Sequence, residues 1–259
     1  MNRNKLHHSS RPAARPSNED GPVRLYGIHA VAAALANPER EIGRLLLTDN
    51  AEHRLGPAIA ARNARSQKVT PRDLDRLLGS DTVHQGALLE TADLAEPTLE
   101  ELATASATRG PLVVLDQVTD PHNVGAILRS AAVLGAGGLI MTRRHSPPLS
   151  GSLAKAASGG LEVVPVALVA NLARALDELG ELGVRRIGLD GDGDVTIDKA
   201  DFSGAAALVL GAEGKGLRRL TRESCDVLAR VPAAGSFASL NVSNAAAVAL
   251  YAAARARTG

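Results

Sequence analysis

The first part of the chain alternates apolar segments of two kinds over a short distance. GIHAVAAALAN and PRDLDRLLG carry apolar residues at helical spacing, whereas IGRLLLTD and GALLETA are short apolar runs typical of strands. Between them, AEHRLGPAIAARNARSQKVT predicts a further helix that leads into a strand. Residues 22–92 are therefore expected to form a small α/β domain.

A longer and more regular alternation begins at residue 111. Six short runs rich in β-branched residues predict strands, namely PLVVLDQ, GGLIMTR, EVVPVAL, VRRIGLD, AALVLGA and VLARVPA. Helical segments such as NVGAILRSAAVLG and NLARALDELGELG lie between them. This order predicts an α/β domain over residues 111–259 with a mainly parallel sheet and ligands at the carboxyl ends of its strands.

The remaining segments lack such periodicity. Residues 1–21 are rich in Pro, Ser, Asn and basic side chains, which predicts a disordered arm that either touches RNA or has no role. Residues 93–110 are charged and alanine-rich, which suits a linker. The chain has no apolar signal-peptide centre and no run long enough to cross a bilayer, so a cytoplasmic location without membrane contact is expected.

Composition excludes several classes of site. The single cysteine rules out an internal disulfide and a Cys-rich zinc site. The aspartate-rich DGDGDVTIDKAD has the spacing of a calcium loop, but Val195 replaces the required glycine and Asp201 the final glutamate, so no metal is expected. With a net charge of +1 and 2% aromatic residues, RNA binding has to depend on local clusters rather than on bulk charge or base stacking.

Three polar motifs stand out against this background. DPHNVGAILRSA places Asn123 and Arg129 in an otherwise apolar segment. Asn123 either caps the helix or takes part in the chemistry of a functional site. LVLGAEGKGLRRLTRE is a strand followed by a glycine-rich turn and a helix whose basic face either binds RNA phosphates or is merely solvated. VPAAGSFASLNVSNAAAVAL has more polar residues before its helix than a cap needs.

In this order the three motifs resemble those of the SpoU-type (TrmH-like) RNA ribose 2′-O-methyltransferases of the SPOUT superfamily. The preceding YGIHAVAAAL…HQGALLE resembles the ribosomal-protein-L30e-like, RNA substrate-binding domain of the subgroup that methylates guanosine in 23S rRNA. The resemblance implies a carboxyl-terminal trefoil knot, S-adenosylmethionine as cofactor, a homodimer, and 23S rRNA or a large-subunit precursor as RNA partner.

The resemblance also implies the residues of the site. Cofactor contacts fall on Gly211, Val231 and Leu240, and the polar active-site positions are Asn123, Arg129, Glu213, Ser239 and Asn241. In the family the equivalent of Arg129 is proposed as the base. Because a guanidinium is essentially never neutral in proteins, we favour Arg129 as a clamp on the target phosphate that also stabilises the developing alkoxide. Asn123 and Glu213 would orient Arg129 or the ribose.

Two alternatives remain open at this point. Transfer RNA is the second candidate substrate, although the extra amino-terminal domain favours ribosomal RNA by analogy. A non-catalytic RNA-binding scaffold would keep the same fold without turnover, but the retained polar residues of the motifs argue against it.

Overall fold

The structure, a computed structural model, describes residues 21–235 and 240–258. The expected arm lies outside these ranges except for Gly21, and so does the predicted site residue Ser239. The described residues fold around two β-sheets, one of four strands and one of seven.

The amino-terminal part forms the four-stranded sheet and three helices. Its elements are β1 (Val23–Tyr26), α1 (Ile28–Ala36), β2 (Ile42–Leu47), α2 (Asp49–Arg62), β3 (Ser66–Lys68), α3 (Pro71–Leu78) and β4 (Ala87–Thr91). The strand order is β1-β4-β2-β3, in which only β2 and β3 run parallel. The α/β pattern is as predicted, with β1 as an additional strand, and its likeness to the L30e fold stays a prediction.

The carboxyl-terminal part forms the larger sheet with helices on both faces. Its elements are α4 (Leu99–Thr108), β5 (Leu112–Asp116), α5 (Pro121–Leu134), β6 (Gly138–Thr142), α6 (Gly151–Ala157), β7 (Val166–Val169), α7 (Leu172–Glu181), β8 (Arg185–Leu189), β9 (Val195–Thr196), β10 (Ala206–Gly211), α8 (Arg219–Glu223), β11 (Val227–Arg230) and α9 (Val242–Thr258). The order is β7-β6-β5-β10-β8-β11-β9, and every neighbouring pair is parallel. The predicted α/β fold with a parallel sheet is therefore confirmed.

The sheet order places the loops of the first two motifs side by side. β5 and β10 are neighbours in register, so that Asp116 at the end of one strand lies opposite Gly211 at the end of the other. Helix α9, the last element of the chain, returns to pack against α5. The carboxyl-terminal knot that the family resemblance implies stays a prediction.

Residues 93–110, expected to be a linker, instead contain α4, which belongs to the layer that covers the large sheet. Thr98 and Glu101 form a reciprocal capping box, with Glu101 N donating to Thr98 Oγ1 at 3.2 Å and Thr98 N to Glu101 Oε2 at 2.9 Å. Leu102 and Ala103 are buried in the core on that face of the sheet. The helix escaped prediction because its buried face is made mostly of small residues, which weakens the apolar signal.

The two parts of the chain share a continuous apolar core and a buried ion pair. Arg40, after α1, and Glu162, after α6, are joined by two hydrogen bonds of 2.7 and 3.1 Å, with side chains 2% and 5% exposed. Asn37 Nδ2 donates to the same carboxylate at 2.8 Å, and Arg40 Nη1 donates to the carbonyl of Ala92 at 2.9 Å. These contacts hold the small domain against the large one.

Candidate active site

Polar side chains from all three motifs converge beside the carboxyl ends of β5 and β10. Asn123 Nδ2 donates to Glu213 Oε1 at 3.1 Å, and Asn241 Nδ2 donates to Asn123 Oδ1 at 3.0 Å. Asn241 Nδ2 also donates to Glu213 Oε1, and the backbone N–H of Val242 approaches the same oxygen at 3.4 Å. We call Asn123, Glu213 and Asn241 the polar triad.

Asn123 is free to join the triad because another residue caps its helix. The N-cap of α5 is Asp120, whose Oδ1 accepts from His122 N at 2.9 Å, and Pro121 occupies the first helical turn. The interpretation of Asn123 as a cap is therefore wrong. Its side chain reaches sideways from the first turn of α5 to Glu213 on the neighbouring loop.

Asn241 serves the helix and the triad at once. Its Oδ1 accepts hydrogen bonds from Ser243 N at 2.9 Å and Ser243 Oγ at 2.5 Å at the start of α9, while its Nδ2 faces Asn123 and Glu213. Capping thus explains part of the polar cluster before α9, and the amide of Asn241 is left for the site.

A tight loop after β10 presents Glu213 to the triad. Gly214 and Gly216 have φ values of 72° and 63°, and Gly216 N donates to Ala212 O at 2.9 Å, which closes the turn. The turn folds directly over Gly211, where a Cβ atom would stand 2.1 Å from the carbonyl carbon of Gly216. The loop's own backbone therefore requires a glycine at this predicted cofactor position.

Sequence reasoning missed one buried charge at the edge of the site. Asp116, at the end of β5, is 1% exposed and accepts from Arg218 Nε at 2.7 Å and from Arg218 N at 3.0 Å. The sequence feature that could have identified Asp116 is the position of an aspartate at the end of an otherwise apolar strand. Asp116 ties the loops after β5 and β10 together and so supports the geometry of Asn123 and Glu213.

The same contact alters the predicted basic face after the glycine-rich turn. Arg218 is paired with Asp116, Arg219 with Glu223 at 2.8 Å, and Arg222 with Asp190 at 3.5 Å. Each of these arginines therefore has a carboxylate partner, which reduces the positive charge available to RNA on this helix.

Arg129 is not hydrogen-bonded to the polar triad. It is exposed on α5 and makes no hydrogen bond or ion pair with the residues that the structure describes. Asn123 and Glu213, expected to orient Arg129 or the ribose, contact each other and Asn241. Val133, one helical turn beyond Arg129 on the same face, is 78% exposed.

The other two predicted cofactor residues flank the segment that leads to α9. Val231 follows β11 and is half-buried against the core, whereas Leu240, next to Asn241, is 47% exposed. Their predicted roles stay predictions.

The described part of the chain contains neither a cluster of metal-ligating side chains nor an activated thiol. No group of three His, Cys, Asp or Glu side chains there is placed to hold a metal ion. Burial raises the pKa of Cys225 to about 12, so this thiol stays protonated and is a poor nucleophile. None of the described helices is both long and apolar enough to cross a membrane.

Both parts of the chain match known protein families. Residues 110–251 match the SpoU rRNA Methylase family, and residues 24–97 match a domain described as RNA 2′-O ribose methyltransferase substrate binding. The 23S rRNA (guanosine-2′-O-)-methyltransferase RlmB of Shewanella oneidensis is 44% identical over 90% of this chain and 97% of its own length. The protein of the same name from Ralstonia nicotianae is 42% identical over 90% of this chain and 96% of its own length.

Solved structures agree over nearly the whole chain. The SpoU methyltransferase AviRb from Streptomyces viridochromogenes, in complex with the cofactor AdoMet, matches with a TM-score of 0.76 at 25% identity and covers 93% of this chain and 94% of its own. An rRNA methyltransferase from Sinorhizobium meliloti matches with a TM-score of 0.75 at 26% identity. The match covers 92% of this chain and 88% of the other. With its family match over the large domain and its polar triad at the junction of three motifs, the chain belongs to the SpoU rRNA methylase family.

Proposed function

We propose that the protein transfers a methyl group from S-adenosylmethionine to the ribose 2′-hydroxyl of a guanosine in 23S rRNA, acting in the cytoplasm as a homodimer. The observation that carries this proposal is the polar triad, which brings together one residue from each of three distant motifs. The relatives that match nearly the whole chain are named for this reaction. A scaffold without turnover has no need for such a convergence.

The residues near the triad suit the cofactor. The adenine ring and the aliphatic part of the methionine chain need apolar contacts and backbone hydrogen bonds, and the surroundings offer both. Leu240 presents an exposed apolar side chain beside Asn241, and the loop after Gly211 exposes the backbone of Gly214 and Gly216. When bound, S-adenosylmethionine supplies the activated methyl group. Gly211, Val231 and Leu240 would hold it.

The protein's own task is then to position the ribose. Glu213 Oε1 is held by Asn123, Asn241 and the backbone of Val242, which fixes the plane of the carboxylate. The second carboxylate oxygen, on an exposed side chain, can accept a hydrogen bond from the 2′-hydroxyl. The proton then passes to solvent or to a phosphate oxygen of the RNA.

The exposed face of α5 and α9 supports a homodimer. Val133 on α5 is 78% exposed, and Val248 and Tyr251 on α9 are 40% and 59% exposed. Because α5 and α9 pack side by side, a second copy that covers both helices would bury these exposed apolar side chains. Arg129 lies on the same side of α5 as Val133, so the partner would help to define its position. Light scattering gives the mass in solution directly.

The reaction is tested by incubating the protein with labelled S-adenosylmethionine and unmodified large-subunit rRNA, followed by digestion to nucleosides. We expect label in 2′-O-methylguanosine. Label that enters transfer RNA instead would favour the alternative substrate. No label in either RNA, in the presence of measured cofactor binding, would favour the non-catalytic scaffold.

Replacement of Arg129 by lysine tests its role as a clamp. Arg129→Lys keeps the positive charge but loses the planar fork that binds a phosphate through two hydrogen bonds, so we expect kcat/KM to fall about tenfold. Steady-state kinetics on the rRNA substrate measure this change. Arg109→Lys, at an exposed arginine that precedes β5 at the opposite edge of the sheet, is the matched control. Full activity of Arg129→Lys would argue against a two-bond contact.

A further inference from the structure

A groove of about 490 Å³ lies at the carboxyl ends of β5, β6 and β7. Gln117 lines it from the loop after β5, Arg144 and His145 from the loop after β6, and Arg218 and Arg219 from the start of α8. We call it the β5–β7 groove. In parallel α/β sheets this edge is where ligands bind.

The groove is lined by cationic groups without acidic ones. Its lining contains three arginines and a histidine but no aspartate or glutamate. Arg218 and Arg219 are balanced by Asp116 and Glu223, whereas Arg144 is exposed and forms no ion pair with the residues that the structure describes. Arg144 is therefore the cation in the groove that remains available to an external anion.

The loops that line the groove also carry the polar triad. The loop after β5 contributes Gln117 to the groove and leads to Asn123, and the loop after β10 carries Glu213 and ends at Arg218. The groove and the triad are therefore built on the same two loops, so an RNA strand held at the triad meets the loops that line the groove.

The backbone of the groove is held in an uncommon conformation. Gln117 and His145 have φ values of 57° and 67°, in the left-handed region that non-glycine residues seldom adopt. Such strain persists where the surrounding structure enforces it, and it is frequent at ligand-binding sites. Both residues face the same groove from different loops.

We propose that the β5–β7 groove binds the phosphodiester backbone of the RNA next to the target nucleotide, with Arg144 as its main phosphate contact. This inference rests on the proposed function and deepens it, because it assigns a separate role in RNA binding to the methyltransferase domain. Contacts to phosphate increase the affinity for RNA and align the strand, but they do not recognise individual bases.

The test measures binding directly, independently of turnover. A fluorescent single-stranded RNA fragment that spans the methylated guanosine is titrated against the full chain and its Arg144→Ala variant at several salt concentrations. We expect the Kd to rise about fivefold to tenfold, and the slope of log Kd against log salt to fall by about 0.7, the value of one phosphate contact on a single strand. Arg144→Lys should restore most of the affinity, because a lysine ammonium still binds a phosphate as a point charge.

Arg109→Ala is the matched control, since it removes one exposed arginine at the amino-terminal edge of the same sheet. If Arg144→Ala and Arg109→Ala give the same Kd and salt slope, the groove is a solvated face and the proposal is overturned. Methyl transfer is assayed separately on the unmodified protein. Loss of RNA affinity in Arg144→Ala without any turnover by the unmodified protein would contradict the proposed function but retain the groove. A chain that binds no RNA would overturn both.

Discussion

A Glu213→Ala variant is expected to lose methyl transfer by about a hundredfold or more while its fold is kept. The side chain is exposed, so its removal opens no cavity, but Oε1 is the shared acceptor of Asn123, Asn241 and the N–H of Val242. Without it three donors from two segments lose their common anchor. Misplacement of reacting groups by about 1 Å costs on the order of a hundredfold in rate. Single-turnover kinetics at saturating RNA and cofactor measure the effect.

Two further variants separate this explanation from a general loss of charge. Glu213→Gln keeps one carbonyl oxygen at the centre of the cluster, so an intermediate rate is expected. Glu223→Ala removes an exposed glutamate of α8 that pairs only with Arg219 among the described residues, and it should leave the rate unchanged. If Glu213→Ala transfers methyl groups at the same rate as Glu223→Ala, the role assigned to the polar triad is contradicted.

The largest effect on stability is expected at the ion pair between the two domains. Glu162→Gln leaves the guanidinium of Arg40, 2% exposed, without its charged partner. Breaking a buried pair by removal of one partner typically costs about 3–5 kcal/mol, because the other charge stays buried and uncompensated. For a chain of this size that corresponds to a decrease in Tm of roughly 6–20 °C. Differential scanning calorimetry, together with urea unfolding, measures both quantities.

A second ion pair of the same chemical kind provides the control. Arg143 and Glu96 also meet at 2.7 Å, but their side chains are 51% and 37% exposed, so Glu96→Gln should cost no more than about 1 kcal/mol. In addition, the double variant Arg40→Met/Glu162→Leu should recover much of the loss, since apolar side chains can replace a buried pair. Equal destabilisation by Glu162→Gln and Glu96→Gln would contradict the assigned importance of burial.

This ion pair bears on function because it sets the position of the small domain. The carboxylate of Glu162 belongs to the methyltransferase domain, while Arg40 and Asn37 belong to the domain that matches RNA substrate-binding modules. A fixed arrangement of the two domains keeps a constant distance between bound RNA and the polar triad. We therefore expect the domains to act on RNA as one surface, not as independently tethered units.

The sequence by itself determined the features that depend on local pattern. Short runs of β-branched residues between helical segments predicted the parallel sheet, because such runs pack best when buried on both faces. The local pattern left Asn123 as either a helix cap or a functional residue, and it was the resemblance of the three motifs to a known family that singled out Asn123, Glu213 and Asn241. The capping box at Thr98 and Glu101 is also a feature of the sequence, but the small residues of this helix give no clear apolar periodicity.

Only the tertiary structure decided which polar groups meet. Whether Asn123 caps its helix or reaches Glu213 depends on the side chain of Asp120 and on a residue 90 positions away. The pairing of Asp116 with Arg218 depends likewise on β5 and β10 being neighbours in the sheet. Local propensity acts over a few residues, whereas these contacts follow from strand order, which is set by the packing of the whole core.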